Sequence, residues 1–226
     1  MCVFNYYTGV QNDANLSSYA WGLDYHTVVK NKLSQLCNIL KNDAGNFKHY
    51  IFCDNSPMCD KHLAYLAGLG FIGKNHLLIH PVYGSYVFIG GIITDLDIEE
   101  DAPLNTKCNG CGKCKTSCPG NAFDDSFDVR KCASYIMQKK GALSQDEQAI
   151  IANSKKLWGC DICAQVCPHN AHPIITDIDE FIVKSYNVEE ALLNDDASFK
   201  EAYKDRAFLW RGRETIKRNY DIIKNV

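Results

Sequence analysis

Residues 108–119 read CNGCGKCKTSCP and carry four cysteines at gaps of two, two and three residues, followed directly by a proline. This spacing is typical of ferredoxin-type [4Fe-4S] sites, because such a tight loop supplies three thiolates to one cubane cluster. The fourth thiolate comes from elsewhere in the chain, and the cysteine before the proline serves a second cluster. The stretch therefore predicts one half of a two-cluster module.

A second run, CDICAQVCP at residues 160–168, also ends in Cys-Pro. Its first cysteine is missing, because Leu157 stands three residues before Cys160, and Cys132 is the only cysteine nearby that can replace it. The ferredoxin rule then predicts two ligand sets. Cluster one takes Cys108, Cys111, Cys114 and Cys167, and cluster two takes Cys118, Cys132, Cys160 and Cys163.

Zinc and disulfides are the alternatives for these cysteines. All-cysteine zinc sites normally use two separated C-x2-C pairs, unlike the run at residues 108–119. A disulfide framework is disfavoured, because the opening MCVFNYYTGV has no signal-peptide pattern. The four cysteines without ligand spacing are expected to be ordinary thiols: Cys2, Cys37, Cys53 and Cys59.

Composition indicates a soluble, cytoplasmic protein. The chain has 226 residues, of which 46% are hydrophobic, so it can bury a sizeable core. No apolar run approaches the roughly eighteen residues that a membrane span needs. A net charge of -3 excludes wholesale attraction to nucleic acid but leaves room for a local basic patch.

We expect an α+β fold with three domains. Residues 1–101 alternate helix and strand signals, residues 102–172 form the cluster module, and residues 173–226 form a short helical region. Asp24 can cap a helix, and the Ser144-x-x-Glu147 capping box opens another between the two cysteine runs. The apolar face predicted for the first helix consists of Val29, Leu33, Leu36 and Leu40.

Three segments of the first domain predict strands. They are HYIFC at 49–53, expected to be buried, HLLIH at 76–80 and YVFIGGIIT at 86–94. Residues 54–57, DNSP, have turn chemistry, and Pro57 suits the first turn of the next helix. The GLGFIG stretch at 68–73 matches a dinucleotide-binding pattern, but here a helix precedes it and a strand follows, which is the reverse of the order such a site requires.

Four segments together resemble the tRNA epoxyqueuosine reductase family. They are YAWGLDYH at 19–26, DNSPMCDK at 54–61, AGLGFIGKN at 67–75 and GCDICAQVCPHN at 159–170. The resemblance covers nearly the whole chain. It implies an α/β cobalamin-binding domain like those of reductive dehalogenases, followed by a two-cluster ferredoxin-like module and helices that help to hold tRNA. Family members carry a further stretch before this chain's Met1, so we expect the first domain to be N-terminally incomplete.

The resemblance also implies a reaction. Epoxyqueuosine at the wobble position of tRNA would be reduced to queuosine, with electrons passing from an unidentified donor through two [4Fe-4S] clusters to cobalamin. Asp54 maps onto the acid that protonates the leaving oxygen, although its position before a turn and a proline also suits a helix cap. The expected cobalamin contacts are Tyr19, Tyr25, His26, Asp54, Gly70, Gly73, Lys74, Asn75 and Ser85.

The C-terminal stretch has a basic character. Residues 200–226 carry eight lysines and arginines against four acidic residues, which suits phosphate contacts as well as a solvated helix face. The expected tRNA contacts are Arg211, Arg213, Lys217 and Arg218. Trp210 and Tyr220 could stack on bases, but packing between helices is the favoured interpretation.

Two other functions stay open. One is a cobalamin and iron-sulfur reductase that acts on a small molecule, like a dehalogenase, and would lack the basic C-terminal stretch. The other is a two-cluster electron carrier with no catalysis of its own. Whichever function applies, we expect a monomer without a membrane partner.

Overall fold

A three-stranded antiparallel sheet organises the N-terminal part of the protein. The computed structural model describes residues 1–9, 15–124, 126–182 and 188–225. Strand β5 (Val87–Thr94) lies in the centre of the sheet between β1 (Cys2–Asn5) and β2 (His49–Phe52). Strands β3 (Phe71–Ile72) and β4 (Leu78–Ile79) form a separate hairpin. The three predicted strands are confirmed, within a fold that mixes helices and sheet.

Strand β2 differs from the prediction in its burial. Only Phe52 is buried, whereas His49 and Tyr50 are exposed. The strand lies at an edge of the sheet and pairs with β5 alone. An edge strand at the surface leaves part of its length in solvent, which the apolar letters of HYIFC did not indicate.

Helix α1 (Tyr25–Ala44) packs across this sheet. Asp24 caps it as predicted, because its carboxylate accepts a hydrogen bond from the His26 amide. The buried face consists of Val28, Val29, Leu33 and Cys37. The predicted Leu36 and Leu40 are only half-buried, because the helix meets β5 along Val29 and Leu33, where Gly90 leaves room for a close approach.

Helix α2 (Asp60–Leu66) precedes the hairpin, which confirms the expected order of helix before strand. Gly68 ends this segment with a φ of +66°, a conformation that favours glycine. Pro57 is not in the first turn of α2. Hydrogen bonds within residues 53–56 form a separate turn, and the helix begins only after Cys59.

The middle of the chain is built from short helices around the cysteine runs. They are α3 (Lys113–Thr116), α4 (Ala133–Met137), α5 (Gln145–Ser154) and α6 (Ile162–Gln165). The capping box of Ser144 and Glu147 is present at the start of α5, as predicted. Leu157, at the place of the missing cysteine, is buried in the core next to Trp158.

The last region begins with extended chain rather than helix. Around Ile174 and Thr176 the chain runs beside β1, where the Thr176 amide donates to Tyr7 O and the Thr176 hydroxyl to Asn5 O. These contacts replace the hydrogen bonds of a helix, so the predicted helical region is wrong at its start. The helices that follow are α7 (Val188–Ala191), α8 (Asp196–Tyr203) and α9 (Arg213–Lys224).

The three predicted domains share their hydrophobic cores. One core combines Leu16 from the first, Trp158 from the second and Phe208 from the third predicted domain. Phe181 packs against the sheet beside Phe88, at a ring distance of 5.0 Å. Across the described ranges, no helix is both long and apolar enough to cross a membrane.

Candidate functional site

Asp54 lies in the turn that follows β2. Its backbone adopts a left-handed conformation with a φ of +59°, and its amide donates a hydrogen bond of 2.8 Å to Asp60 Oδ2 at the start of α2. The turn directs the carboxylate outward, and the side chain is 59% exposed. Asp60 thus anchors the turn while the Asp54 carboxylate stays accessible.

The first turn of α1 brings two side chains to this carboxylate. The Tyr25 hydroxyl donates to Asp54 Oδ2 at 2.6 Å, and His26 Nε2 lies 3.2 Å from the same oxygen. His26 Nδ1 lies 2.7 Å from Asp24 Oδ1. The result is a chain of hydrogen bonds from the helix cap through the imidazole to Asp54.

Ring stacking holds Tyr25 in place. The Tyr25 ring lies 4.1 Å from the His26 ring and 4.4 Å from the Phe88 ring of β5, the latter nearly parallel at 6°. The family resemblance implies Tyr25 and His26 as cofactor contacts, and the structure shows in addition that both contact Asp54. The Y-H pair directly after a helix cap was the available signal.

The hydrogen bonds and burial shift the pKa values of His26, Asp54 and Tyr25 in different directions. The hydrogen bond with Asp24, followed by that with Asp54, raises the pKa of His26 to about 9 against the effect of burial. The hydrogen bond from His26 lowers the pKa of Asp54, and that from Tyr25 contributes, although burial opposes them. Burial and then the bond to Asp54 raise the pKa of the Tyr25 hydroxyl. At neutral pH, His26 is therefore cationic and Asp54 anionic.

These residues line a cavity of about 380 Å³, which we call the Asp54 cavity. Trp210, near the end of a 3-10 helix at Ala207–Arg211, forms part of its wall and is 60% exposed. The Arg211 guanidinium stacks on the Trp210 ring at 3.7 Å. An exposed aromatic ring beside a cavity provides a stacking surface, so packing between helices does not describe Trp210. Tyr220, in contrast, packs against a core.

The predicted cluster-one cysteines lie near one another. Burial raises the pKa of the Cys167 thiol, and the neighbouring thiols of Cys108, Cys111 and Cys114 raise it further. Cys111 is exposed and the other three are half-buried. These four are the residues that the spacing predicts for one cubane.

The predicted cluster-two cysteines also lie near one another, and all four are half-buried. Burial raises the pKa of Cys160 to about 12, and Cys132 and Cys118 add to the effect. Burial also raises the pKa of Cys163, as do Cys160, Cys132 and Cys118, with Cys114 contributing least. No group of three or more side chains is arranged to hold a single metal ion within the ranges that the structure covers. The assignment of individual ligands stays a prediction.

The nine predicted cobalamin contacts are divided among different places. Tyr19, Tyr25, His26 and Asp54 line the Asp54 cavity, whereas Lys74 lines a second cavity beside Cys114. The other four make contacts within the protein: Gly70, Gly73, Asn75 and Ser85.

Gly70 and Gly73, two of the expected cobalamin contacts, are buried against their own chain. A Cβ atom on Gly70 would collide with the carbonyl oxygen of Ile79, and one on Gly73 would lie 2.5 Å from Asn75 Oδ1. Ser85 is buried and bonded to Asn170, which joins the sheet region to the cluster module. Pockets of 300–1,000 Å³ hold drug-sized ligands, and the Asp54 cavity is at the lower end of that range. The described residues therefore do not, on their own, fit a whole cobalamin.

The four predicted tRNA contacts have different surroundings. Arg218 donates hydrogen bonds to the carbonyl oxygens of Met137, Lys139 and Gly141 at 2.7–3.0 Å. Arg213 donates to Leu192 O at 2.5 Å, and Lys217 pairs with Asp221 at 2.9 Å. Only Arg211, stacked on Trp210, is next to the Asp54 cavity.

Two family models match parts of the chain. Residues 107–170 match the model described as "4Fe-4S double cluster binding domain", which includes all eight predicted ligands. Residues 1–55 match the model described as "Epoxyqueuosine reductase QueG, DUF1730". The first match supports iron-sulfur clusters in the region around the two cysteine runs.

Whole-chain comparisons find epoxyqueuosine reductases among the relatives of this chain. The epoxyqueuosine reductase of Leadbetterella byssophila is 34% identical over an alignment of 233 positions, gaps included, which covers 99% of this chain and 76% of the relative. The epoxyqueuosine reductase of Lactococcus garvieae is 35% identical over 215 residues, which cover 91% of this chain and 60% of the relative. A crystal structure of epoxyqueuosine reductase with an epoxyqueuosine-modified tRNA-Tyr stem loop is similar to this chain, with a TM-score of 0.87 and 28% sequence identity. The match covers 98% of this chain and 62% of that one. The chain thus spans 60% of the length of the Lactococcus garvieae relative.

Proposed function

This chain belongs to the epoxyqueuosine reductase family, and we propose that it reduces epoxyqueuosine in tRNA to queuosine. The observation that carries the proposal is the Asp54 carboxylate, held by Tyr25 and His26 at an accessible cavity in a chain that also has a double-cluster region. The reaction removes the epoxide oxygen as water and leaves a double bond. It consumes two electrons and two protons per substrate.

Asp54 is the proposed group that delivers a proton to the departing oxygen. An alkoxide is a poor leaving group, so a positioned acid is needed at the carbon-oxygen bond that breaks. Tyr25 orients the carboxylate through Oδ2, and Asp60 holds the backbone of the turn. These contacts fix the direction in which Asp54 meets a substrate in the cavity.

The electrons enter through the iron-sulfur region. We propose Cys108, Cys111, Cys114 and Cys167 as ligands of one cluster and Cys118, Cys132, Cys160 and Cys163 as ligands of the other. Cobalamin, as the group that would supply reduced cobalt next to the substrate, stays a prediction of the family resemblance.

For the tRNA, we propose that Trp210 and Arg211 contact the bases next to the modified one. Trp210 offers an exposed ring, and Arg211 adds a positive charge over it. Bases of single-stranded loops commonly stack on such aromatic side chains. This assignment replaces Arg213 and Arg218, whose guanidinium groups are occupied by carbonyl oxygens.

The proposal is tested by product analysis. Protein reconstituted anaerobically with iron and sulfide is mixed with cobalamin, a low-potential reductant and epoxyqueuosine-containing tRNA, and the digested nucleosides are separated by mass. We expect the modified nucleoside to become lighter by about 16 mass units, because the reduction removes one oxygen atom from it as water. A protein with both clusters filled that yields no queuosine would contradict the proposal.

A two-cluster electron carrier is the second candidate. It is favoured by the burial of Gly70 and Gly73, which leaves neither glycine exposed for contact with cobalamin, and by the exposure of Cys111, a proposed ligand of the first cluster. Such a carrier would exchange electrons with a partner protein and leave epoxyqueuosine unchanged in the same assay. Product analysis therefore separates the two functions.

A further inference from the structure

The His26 imidazole lies between two carboxylates at the start of α1. Nδ1 is 2.7 Å from Asp24 Oδ1, and Nε2 is 3.2 Å from Asp54 Oδ2. An ionised carboxylate only accepts hydrogen bonds, so each ring nitrogen must carry a proton to make its contact. With Asp24 and Asp54 both ionised, as the lowered pKa of each carboxyl group indicates, the two contacts fit the imidazolium form of His26.

This arrangement places the available proton on His26 instead of Asp54. A carboxylate whose pKa is below its ordinary value has no proton to give at neutral pH. The Tyr25 hydroxyl does not replace it as an acid, because burial and the bond to Asp54 raise its pKa. An acid is nevertheless needed when the substrate oxygen leaves.

We propose that His26 stores this proton and that Asp54 passes it from His26 to the leaving oxygen. The inference rests on the proposed function, because it assumes a substrate oxygen in the Asp54 cavity. Asp54 is the catalytic residue, since it meets the substrate. His26 does not meet the substrate. It is a positioning residue that holds the proton next to Asp54 Oδ2.

The transfer moves one proton and no electrons. The Nε2–H bond of His26 breaks, its electron pair stays on the ring, and an O–H bond forms at Asp54 Oδ2. That O–H bond then breaks as the proton moves to the alkoxide oxygen, which becomes a hydroxyl. Asp54 returns to a carboxylate and His26 is left neutral. Solvent at the open side of the cavity restores the proton, because Asp54 is 59% exposed.

Other titratable groups surround the pair from each neighbouring element. Burial opposes the lowering of the Asp24 pKa, which the hydrogen bonds from His26 and, to a smaller extent, Lys30 further along α1 bring about. Asp60 of α2 bonds to the Asp54 amide, and Asp205 of the C-terminal region accepts from the Asp24 amide through its backbone oxygen. The remaining polar or aromatic side chains at the cavity are Tyr19, Tyr25, Asn55, Gln138 and Trp210.

The first test measures the protonation of His26 directly. The cluster-loaded protein is labelled with ¹⁵N-histidine and titrated by NMR, and the His26 signal is identified by its loss in His26→Gln. We expect a midpoint near 9, about 2.5 pH units above an ordinary histidine. Asp24→Asn should shift that midpoint downward. A wild-type midpoint near the ordinary value overturns the inference, independently of any activity.

The second test is the pH profile of queuosine formation in single turnover. The wild-type rate should stay level up to about pH 9 and fall above it, as His26 loses its proton. In His26→Gln, Asp54 must take its proton from solvent, so the rate should fall about tenfold per pH unit across the neutral range. His62→Gln, at an exposed histidine, should keep the wild-type profile.

The two tests distinguish a failure of this inference from a failure of the proposed function. A loss of rate in His26→Gln that is equal at every pH indicates a structural role and overturns the inference. A wild-type protein that forms no queuosine contradicts the proposed function, while the NMR midpoint still decides where the proton resides.

Discussion

The Tyr25 hydroxyl donates a hydrogen bond of 2.6 Å to Asp54 Oδ2, and this contact joins the start of α1 to the turn after β2. Tyr25 is itself fixed by stacking on Phe88 in the central strand. The sheet, the helix and the turn are thus coupled at one carboxylate oxygen. The position of Asp54 is determined by the packed core and does not depend on the turn alone.

Asp54→Asn should abolish turnover and leave the fold intact. The amide keeps the shape of the side chain but cannot carry an acidic proton, so we expect the single-turnover rate to fall by about 100-fold or more. Asparagine tolerates the left-handed backbone at this position well. The measurement combines queuosine formation with circular dichroism and iron content. Asp97→Asn, at an exposed aspartate, serves as the control. Near wild-type turnover in Asp54→Asn would remove Asp54 from the mechanism.

Cys132→Ala should remove one cluster and spare the other. Anaerobically purified wild-type protein should hold about eight irons, as two cubanes require, and the variant about four. The reason is that Cys132 supplies the thiolate that position 157 cannot. Iron analysis and electron paramagnetic resonance of the reduced protein measure the difference. Cys59→Ala, at an exposed cysteine outside both runs, should keep about eight. Loss of both clusters, or of neither, would contradict the predicted sets.

Trp210→Ala should weaken binding of an epoxyqueuosine tRNA stem loop. Base stacking on an aromatic side chain contributes about 1–3 kcal/mol, so Kd should rise roughly 5- to 150-fold. Trp158 is fully buried and Trp21 partly so, and stem-loop quenching of tryptophan fluorescence should therefore arise mainly from Trp210.

The control for Trp210→Ala is an aromatic residue of similar exposure that lies away from the Asp54 cavity. Tyr50 in β2 is 59% exposed and lies outside the lining of the Asp54 cavity. Tyr50→Ala should leave Kd unchanged, and Trp210→Phe should retain most of the affinity while losing most of the quenching. If Trp210→Ala binds the stem loop as tightly as wild type, the ring is not a stacking surface for tRNA.

Arg218→Gln should destabilise the protein, whereas Lys217→Gln should not. Arg218 holds α9 against the end of α4 through three carbonyl oxygens, and loss of such charge-assisted bonds should lower the free energy of unfolding by about 2 kcal/mol. For a chain of this size, that corresponds to a Tm lower by about 4–8 °C. Lys217 pairs with Asp221 at the surface, where an exposed pair contributes about 0.5 kcal/mol or less. Thermal unfolding at one fixed scan rate measures both. Equal Tm values would contradict the stabilising role of Arg218.

Features set by local spacing could be predicted from the sequence. The cysteine gaps indicate two clusters, because a cubane constrains how many residues separate its ligands. The caps at Asp24 and Ser144 were predictable for a related reason, since a helix end is satisfied by side chains within three residues of it. The family resemblance added Asp54 as a site residue.

Tertiary packing decided the rest. His26 and Asp54 are separated by 28 residues, and their contact depends on how α1 packs against the sheet. Trp210 reaches the same cavity from the far end of the chain, while Arg218 turns to carbonyl oxygens. Sequence patterns do not contain these distances, because a side chain's partners depend on which elements pack together to bury apolar surface. The same stretch of chain thus supplies an exposed tryptophan with a stacked arginine and a half-buried arginine that holds two helices together.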